Sequence, residues 1–235
     1  MKHLKIKNNR IAIKILAMSF WLLLPFAPSY GQGRDYIKEQ MQQVGHCRNV
    51  AITKTGGDLI LYGLNGYATF GCPFSLIEAI EELYDEEVYL DDIQLTEKDR
   101  WLILYDDNGL LWNDIPYSLE TCLDNFVEQK EVITSVTFND ANDWIVVTTK
   151  FYAASNNNIT NWLKEGSAKY GPLLTASIAD DAIVAVYQGG YRYLGNVPQS
   201  LQNALEKTRL KVYRVKMAGT SWFFADKDGT FDYNM

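Results

Sequence analysis

The residues of this chain that could do chemistry are few, and carboxylates in turns are the most prominent of them. Asp106 and Asp107 stand in one tight turn, and Asp226 and Asp228 stand in the corresponding turn of a later segment. Two carboxylates that flank a glycosidic bond can serve as the general acid and as the nucleophile or base of glycoside hydrolysis. Tight hairpins also require Asn-Gly and Asp-Gly sequences, so the pattern favours a structural role over catalysis.

The only candidate base for nucleophilic or metal chemistry stands alone in the sequence. His46 is the only histidine outside the first 31 residues, and one imidazole cannot form a His-based metal site or a nucleophile–base–acid arrangement. It follows Gly45 at a predicted helix end, where we expect it to contact free carbonyl groups. The sequence therefore predicts no catalytic residue, no cofactor and no metal site.

The three cysteines are an odd number, which excludes a complete disulfide framework. Cys47 begins a predicted first strand and Cys72 ends the third strand of the same unit, so they lie at opposite ends of an up-down-up sheet, beyond disulfide reach. Cys122 lies on the apolar face of a predicted helix, where a thiol behaves as a small hydrophobic group. We expect free thiols.

An acidic run between residues 78 and 92 could be interpreted as a cation site. Calcium-binding loops alternate oxygen ligands around an obligatory glycine, and this run contains no such loop. We therefore predict a solvated helix face and the turn that follows it. The run consists of Glu78, Glu81, Glu82, Asp85, Glu86, Glu87, Asp91 and Asp92.

These residues belong to a repeated unit that is clearest in residues 99–126. Trp101–Tyr105 is apolar at nearly every position, which predicts a strand buried on both faces. The Asp-Asn-Gly sequence at 107–109 predicts a tight turn into a short return strand. Pro116 then opens a helix whose apolar residues recur at helical spacing. After Pro73, the corresponding helix has Ser75 and Glu78 at the spacing of a capping box.

Five copies of this unit follow one another at a period near 40 residues. The residues that open the middle strands are 42, 43, 39 and 39 positions apart, and turn glycines and prolines follow them at matched intervals. Such a period is typical of a repeat protein. The aligned residues are Leu59, Trp101, Trp144, Ile183 and Trp222 for the middle strands, Gly66, Gly109, Gly190 and Gly229 for the turns, and Pro73, Pro116 and Pro198 for the helices.

The repeat predicts one domain at 32–235, with units at about 34–70, 73–112, 116–154, 157–194 and 198–233. A unit's own helix can cover one face of its middle strand, so a neighbouring unit must cover the other. A solenoid carries polar caps at its ends, whereas the last middle strand is as apolar as the inner ones. We therefore predict an α+β repeat of five αβββ units in a closed pseudo-five-fold, propeller-like ring, with an open α/β solenoid as the alternative.

Five units of three strands and a helix in about 200 residues resemble the pentein fold, the five-fold α/β propeller of amidinotransferases, deiminases and some non-catalytic relatives. Catalytic penteins use a cysteine near the C-terminus together with a histidine, and no cysteine follows Cys122 here. The resemblance therefore implies a non-catalytic, pentein-like protein. The pattern W-x-x-x-Y-x-x-N-G at 101–109 also resembles repeats of uncharacterised exported bacterial proteins.

The first 31 residues have the order of a secretory signal peptide. A basic start precedes an apolar run of ten residues that is too short to span a bilayer, and small residues precede Gln32. We expect an exported protein, periplasmic or extracellular, without a membrane span after cleavage. The mature chain would hold 17 Lys and Arg against 29 Asp and Glu, a formal charge of −12. That charge argues against nucleic acid as a partner.

The function we predict is that of a monomeric, non-enzymatic binding protein whose ligand is a protein or a glycan. A carbohydrate-active enzyme, with Trp112 and the tyrosines as sugar platforms, and an inhibitor of a secreted hydrolase are the alternatives. Loops vary where they do not pack, so we expect the ligand at the rim formed by the turns at 64–65, 107–108, 188–189 and 227–228, with an uneven third copy at 150–151. The predicted ligand-facing residues are Tyr67, Asn108, Phe151 and Tyr191.

Overall fold

The computed structural model describes residues 30–235 and contains five helices and five three-stranded antiparallel sheets in repeated α/β units. Each unit is one helix followed by a meander of three strands. The elements are α1 (Tyr30–Val44), β1 (Asn49–Ile52), β2 (Asp58–Tyr62) and β3 (Gly66–Phe70) in unit 1; α2 (Phe74–Asp85), β4 (Leu90–Leu95), β5 (Trp101–Tyr105) and β6 (Gly109–Asn113) in unit 2; α3 (Tyr117–Glu128), β7 (Ile133–Phe138), β8 (Trp144–Thr148) and β9 (Tyr152–Ala154) in unit 3; α4 (Asn157–Tyr170), β10 (Leu173–Ala179), β11 (Ala182–Tyr187) and β12 (Gly190–Leu194) in unit 4; and α5 (Gln199–Lys207), β13 (Arg214–Ala218), β14 (Ser221–Ala225) and β15 (Phe231–Asn234) in unit 5.

The predicted repeat of one helix and three strands is confirmed in all five units, with two notable shifts at element ends. β13 begins at Arg214 rather than at the predicted Leu210. Arg214 pairs with Ala225, the last residue of β14, so the residues before Arg214 have no ladder partner in that strand. Helix α1 begins at Tyr30, ahead of the predicted start at Arg34. The predicted signal segment, residues 1–31, lies outside the described residues except for the first two positions of this helix. None of the described helices is both long and apolar enough to cross a membrane.

Helix α4 continues through Gly166, a residue that could have interrupted it. A Cβ atom at this position would lie 2.1 Å from the hydroxyl oxygen of Tyr187. That hydroxyl donates a hydrogen bond to the carbonyl oxygen of Leu163, 3.3 Å away. The glycine therefore makes room for the tyrosine of the facing sheet, and it does not end the helix.

The core consists of apolar clusters, each of which joins a helix to two sheets. In one of them, Leu76 of α2 packs with Leu59 of β2 and Trp101 of β5. Three further clusters repeat this arrangement around α3, α4 and α5. The fifth combines Ile37 of α1 with Ile60 of β2 and Phe223 of β14, and so joins the first sheet to the last.

The middle strands are buried on both faces, as the sequence predicts. Trp101 and Ile103 of β5 belong to the cluster around α2, whereas Leu102 and Leu104 belong to the cluster around α3. Alternate side chains of one strand therefore enter two different clusters. Burial on both faces explains why these strands have no polar alternation.

Three of the helices begin with the sequence Pro-x-Ser, and the serine has a role other than the predicted cap. In α2 the N-cap is Pro73, which makes no side-chain cap, and the Ser75 hydroxyl accepts a hydrogen bond from the indole N–H of Trp101 at 3.1 Å. The predicted capping box of Ser75 and Glu78 is therefore wrong. The same bond recurs in units 3 and 5, at 2.9 Å for Trp144–Ser118 and 3.0 Å for Trp222–Ser200.

Candidate functional site

The first strands of the five units meet one another, and we call them the inner strands. They are β1, β4, β7, β10 and β13. Each contacts the inner strand of the next unit, and β13 of the last unit also contacts β1 of the first. Among the strands of residues 30–235, no backbone ladder joins different units, so the five sheets remain separate.

The inner strands carry buried polar residues at equivalent positions, where a sheet core would normally be apolar. The first set is Asn49, Asp92, Ser135, Thr175 and Arg214. Two residues further along each strand, the second set is Gln94, Thr137, Ser177 and Lys216, with the apolar Ala51 at the equivalent position of unit 1. Within each set the spacing of 43, 43, 40 and 39 residues follows the repeat period.

Several of these side chains hydrogen-bond to the backbone of the next unit. The amide of Val136 donates to Asp92 Oδ2 at 2.9 Å, and the amide of Ile178 donates to Thr137 Oγ1 at 3.0 Å. A buried strand edge needs partners for its N–H groups, and a ladder to the neighbouring unit is missing here. Polar side chains of the inner strands therefore provide hydrogen-bond partners for backbone groups at the strand edges of adjacent units.

Four of the inner-strand residues form a buried cluster of charges, the central ion cluster, which consists of Asp91, Asp92, Arg214 and Lys216. Lys216 Nζ lies 2.8 Å from Asp92 Oδ1, and Arg214 Nη2 lies 2.8 Å from Asp91 Oδ1. Both pairs connect unit 5 with unit 2, although these units do not follow one another in the chain. The cluster therefore fills the space between the inner strands with two ion pairs.

Burial and the neighbouring charges shift the pKa values of the central ion cluster in opposite directions. Burial alone would raise the pKa of Asp92, but the neighbouring Lys216 and Arg214 hold it below its usual range. Burial lowers the pKa of Lys216, and Asp92 opposes that shift. The two carboxylates of the cluster thus lie against two cationic side chains. Within residues 30–235, no three His, Cys, Asp or Glu side chains are grouped so that they could hold a metal ion.

A cavity of about 310 Å³ lies where the inner strands lead into their first turns, and we call it the first-turn cavity. All five units line it. Each contributes an apolar residue at the equivalent inner-strand position, namely Ile52, Leu95, Phe138, Ile178 and Met217. The remaining lining is polar or small, so the cavity combines an apolar wall with polar groups at its mouth.

Charged residues surround the mouth of the first-turn cavity. Lys54 of unit 1 forms an ion pair with Asp180 of unit 4, with Nζ 2.9 Å from Oδ1. The Asp140 carboxylate accepts a hydrogen bond from the Thr96 hydroxyl at 2.7 Å. Glu97 also lines this cavity, and its carboxylate accepts a hydrogen bond from the backbone amide of Lys54. The Lys54–Asp180 pair connects two units that are not consecutive and so crosses this end of the molecule.

A second cavity, of about 940 Å³, lies at the other end of the inner strands, and we call it the second-turn cavity. Its walls include residues from the starts of inner strands and from the second turns of units 2, 3 and 5, among them Tyr89, Asp91, Asp106, Asp107, Thr134, Thr149, Tyr213 and Lys227. Cations lie over both tyrosine rings: Arg48 is 4.2 Å from the Tyr89 centroid and Lys227 is 4.6 Å from that of Tyr213.

The four predicted ligand-facing residues lie in four different units and differ in their surroundings. Phe151 is exposed, whereas Tyr67 is half-buried and makes an edge contact with Tyr84. Tyr191 packs against the cluster around α5. Asn108 accepts a hydrogen bond from the Ile133 amide at 2.8 Å and donates to a backbone carbonyl of unit 3. The polar groups of Asn108 therefore join units 2 and 3.

The expectations for the histidine and the cysteines are confirmed. His46 Nδ1 lies 2.8 Å from the carbonyl oxygen of Val44 at the end of α1. The three cysteines are free thiols, and burial raises the pKa of Cys47 and Cys72 to about 12 and that of Cys122 to about 11. Thiols of this kind stay protonated near neutral pH and are poor nucleophiles.

The interpretation of the acidic run as a solvated surface is correct for its helix and wrong for its end. The acidic residues from Glu78 to Glu87 are exposed, but Asp92 is fully buried and Asp91 is largely buried. The sequence analysis thus missed the central ion cluster. A signal was present, because the polar inner-strand residues recur at the same period as the tryptophans.

Comparisons with known proteins do not assign this chain. No protein-family model matches it, and the search of curated proteins found no match. Its function therefore has to be inferred from the geometry of the inner strands and of the two cavities.

Proposed function

We propose that the chain is an exported, monomeric, non-enzymatic binding protein. In this proposal the five units close into a pseudo-five-fold, pentein-like ring, and a polar ligand binds at the second-turn end. The basic start and the apolar run within residues 1–31 support export. The protonated cysteine thiols support a role in binding rather than nucleophilic catalysis.

Contacts between the first and the last unit support ring closure. The amide of Cys47 donates to the carbonyl oxygen of Gly229 at 2.8 Å, and Arg34 Nη1 donates to the Ser221 hydroxyl at 2.8 Å. The apolar cluster around α1 contains residues of both sheets. In an open solenoid the two end units would lie far apart, so these contacts favour the ring.

Deleting residues 34–44 should abolish the cooperative thermal transition of the whole chain. Their removal takes the buried side chains of Ile37 and Met41 out of the cluster between the first and the last sheet, and the apolar surfaces of both sheets then face water. Circular dichroism and calorimetry would measure the transition. The exposed substitution Gln43→Ala in the same helix serves as the control. A truncated chain that keeps the full transition would contradict closure.

The observation that carries the binding proposal is the second-turn cavity. It opens among the second turns of units 2, 3 and 5, which belong to the predicted rim, although none of the four predicted ligand-facing residues lines it. Carboxylates, hydroxyls and an ammonium group line it together. Asp106, Asp107, Thr149 and Lys227 supply these groups. Such a mixture suits a ligand that is rich in hydroxyl groups, so glycans are the first class to test.

Asp107→Asn should weaken glycan binding about tenfold or more, because it removes a charged hydrogen-bond acceptor from the cavity wall. Chemical-shift mapping with a panel of glycans would locate the site and give the affinity. Asp124→Asn, at an exposed position of α3, is the matched control and should leave the affinity unchanged. Shift changes confined to the helix surfaces would refute the proposed site. If shifts at the rim appear only with a protein from the exported fraction, the ligand is a protein.

One observation favours a second candidate function, glycan hydrolysis. Burial raises the pKa of the Asp91 carboxyl, although Arg214 opposes that rise, and Asp91 shares its cavity with Asp106 and Asp107. A carboxyl whose pKa is raised by burial, in the same cavity as further carboxylates, is a feature of glycosidases. Loss of measurable turnover in Asp107→Asn and in Asp228→Asn would support the enzyme, whereas a binding protein has no turnover to lose.

A further inference from the structure

The first-turn cavity owes its space to two alanines. At the inner-strand position that leads into the first turn, units 1, 2 and 3 carry Thr53, Thr96 and Asn139, whereas units 4 and 5 carry Ala179 and Ala218. The two alanines line the cavity, together with residues of all five units. Its volume of about 310 Å³ lies at the lower end of the range for small-molecule sites.

The ionisable residues that line the first-turn cavity carry a net negative charge. They are Glu97, Asp140 and Asp180 against the single cation Lys54. The hydrogen bond from Lys54 to Asp180 raises the pKa of the lysine, and the charges of Glu97 and Asp140 raise it further. All three carboxylates thus act on the same ammonium group.

Lys54 reaches this position from a distant unit. Its side chain passes Gly219 of unit 5, where an added Cβ would lie 3.0 Å from Lys54 Cγ, and it ends at Asp180 of unit 4. The two side chains are 44% and 56% exposed. Ion pairs as exposed as this one contribute little to stability, so another cation could replace the lysine without disturbing the fold.

We propose that the first-turn cavity binds a small organic ammonium ion with an apolar body, and that the Lys54 ammonium occupies the cation position when this ligand is absent. The apolar body would contact the wall formed by Leu95, Phe138 and Met217. The ligand ammonium would pair with Asp180 in place of Lys54, and the charge of Asp140, which also lies 3.9 Å from Arg100 Nη1, would attract it over a longer distance. This site lies at the opposite end of the inner strands from the second-turn cavity and does not depend on the function proposed above.

Calorimetric titration of the purified chain with phenethylamine tests the proposal, with 2-phenylethanol and 3-phenylpropanoate as ligands that keep the apolar body but change the charge. Phenethylamine should bind saturably, the neutral alcohol at least tenfold more weakly, and the anion not at all. High salt should weaken the binding of the amine. Equal binding of the amine and the alcohol would overturn the role of the charge.

Substitutions of the two members of the ion pair should have opposite effects. Asp180→Asn should weaken phenethylamine binding at least tenfold, and it keeps the backbone, because asparagine tolerates the positive φ of 52° found at this residue. Lys54→Gln should tighten binding severalfold, because it removes the internal competitor. Asp181→Asn, at the exposed neighbouring position, should have no effect. If Lys54→Gln weakens binding as Asp180→Asn does, the pair only organises the mouth and the proposal fails.

A filled cavity provides the final check. Ala218→Val adds two methyl groups to the cavity wall and should abolish phenethylamine binding. Its amide spectrum should stay native outside the first turns. Binding that persists with the cavity filled, or a failure of both the unmodified chain and Lys54→Gln to bind phenethylamine, would overturn the proposal.

Discussion

Replacing Lys216 with methionine should lower the free energy of unfolding by about 3–5 kcal/mol. The Lys216 ammonium lies 2.8 Å from Asp92 Oδ1, and both side chains are almost fully buried. Without the lysine, a buried carboxylate remains with no adjacent ammonium partner. Denaturant unfolding followed by fluorescence would measure the loss. Lys211→Met, at an exposed position of the same unit, should change stability by less than about 0.5 kcal/mol.

The double variant Asp92→Asn/Lys216→Met separates charge from packing. Asparagine at position 92 keeps one oxygen acceptor, for the amide of Ile93 or for that of Val136, and it removes the unbalanced charge. The double variant should therefore be less destabilised than the sum of the two single variants, since the two side chains are in contact. Strict additivity would show that the two charges do not interact, which would contradict the ion pair.

Trp144→Ala should lower the free energy of unfolding by about 3–5 kcal/mol, because it leaves a large cavity in a close-packed cluster. The side chain is 5% exposed and packs among residues of α3, β5 and β7. Denaturant melts would measure the change. A loss well below 1 kcal/mol would show that Trp144 is exposed in solution, and it would then have to be considered as a ligand platform.

Two variants next to Trp144 separate the contribution of its indole hydrogen bond from that of its packing. Ser118→Ala removes only the acceptor of the indole N–H, 2.9 Å away, and should cost about 0.5–1.5 kcal/mol. Tyr117→Ala changes the adjacent aromatic residue, which is 82% exposed, and should stay within about 0.5 kcal/mol of the unmodified chain. A large effect of Tyr117→Ala would mean that this ring is covered in solution.

The repeat could be predicted because short local sequence features define each unit. The apolar run of β5, the turn at 107–109 and Pro116 each fix a short stretch of backbone, and they recur at one period. The Ser–Trp hydrogen bond could also have been predicted from the sequence, because Pro-x-Ser recurs in three units at a similar distance before the tryptophan. Ser75 resembled a helix cap because serine and glutamate three residues apart have the same spacing in a capping box.

The central ion cluster could be located by its period but not by its partners. The spacing of Asp92 and Lys216 places both on inner strands, yet it does not say that unit 2 would pair with unit 5. That choice depends on how the inner strands approach one another, which no local pattern encodes. The first-turn cavity is similar, because Ala179 and Ala218 become informative only when the five strands are superposed.

The apolar cluster shared by the first and the last sheet has a consequence for the order of folding. Ile60 and its neighbours are synthesised early, but Phe223, which packs in the same cluster, comes from the penultimate strand. Closing so long a segment of chain is entropically unfavourable and slows folding. One face of the first sheet therefore stays uncovered until nearly the whole chain has been synthesised. A chain that completes its core this late can still pass unfolded through a narrow pore, which would suit the export that we propose.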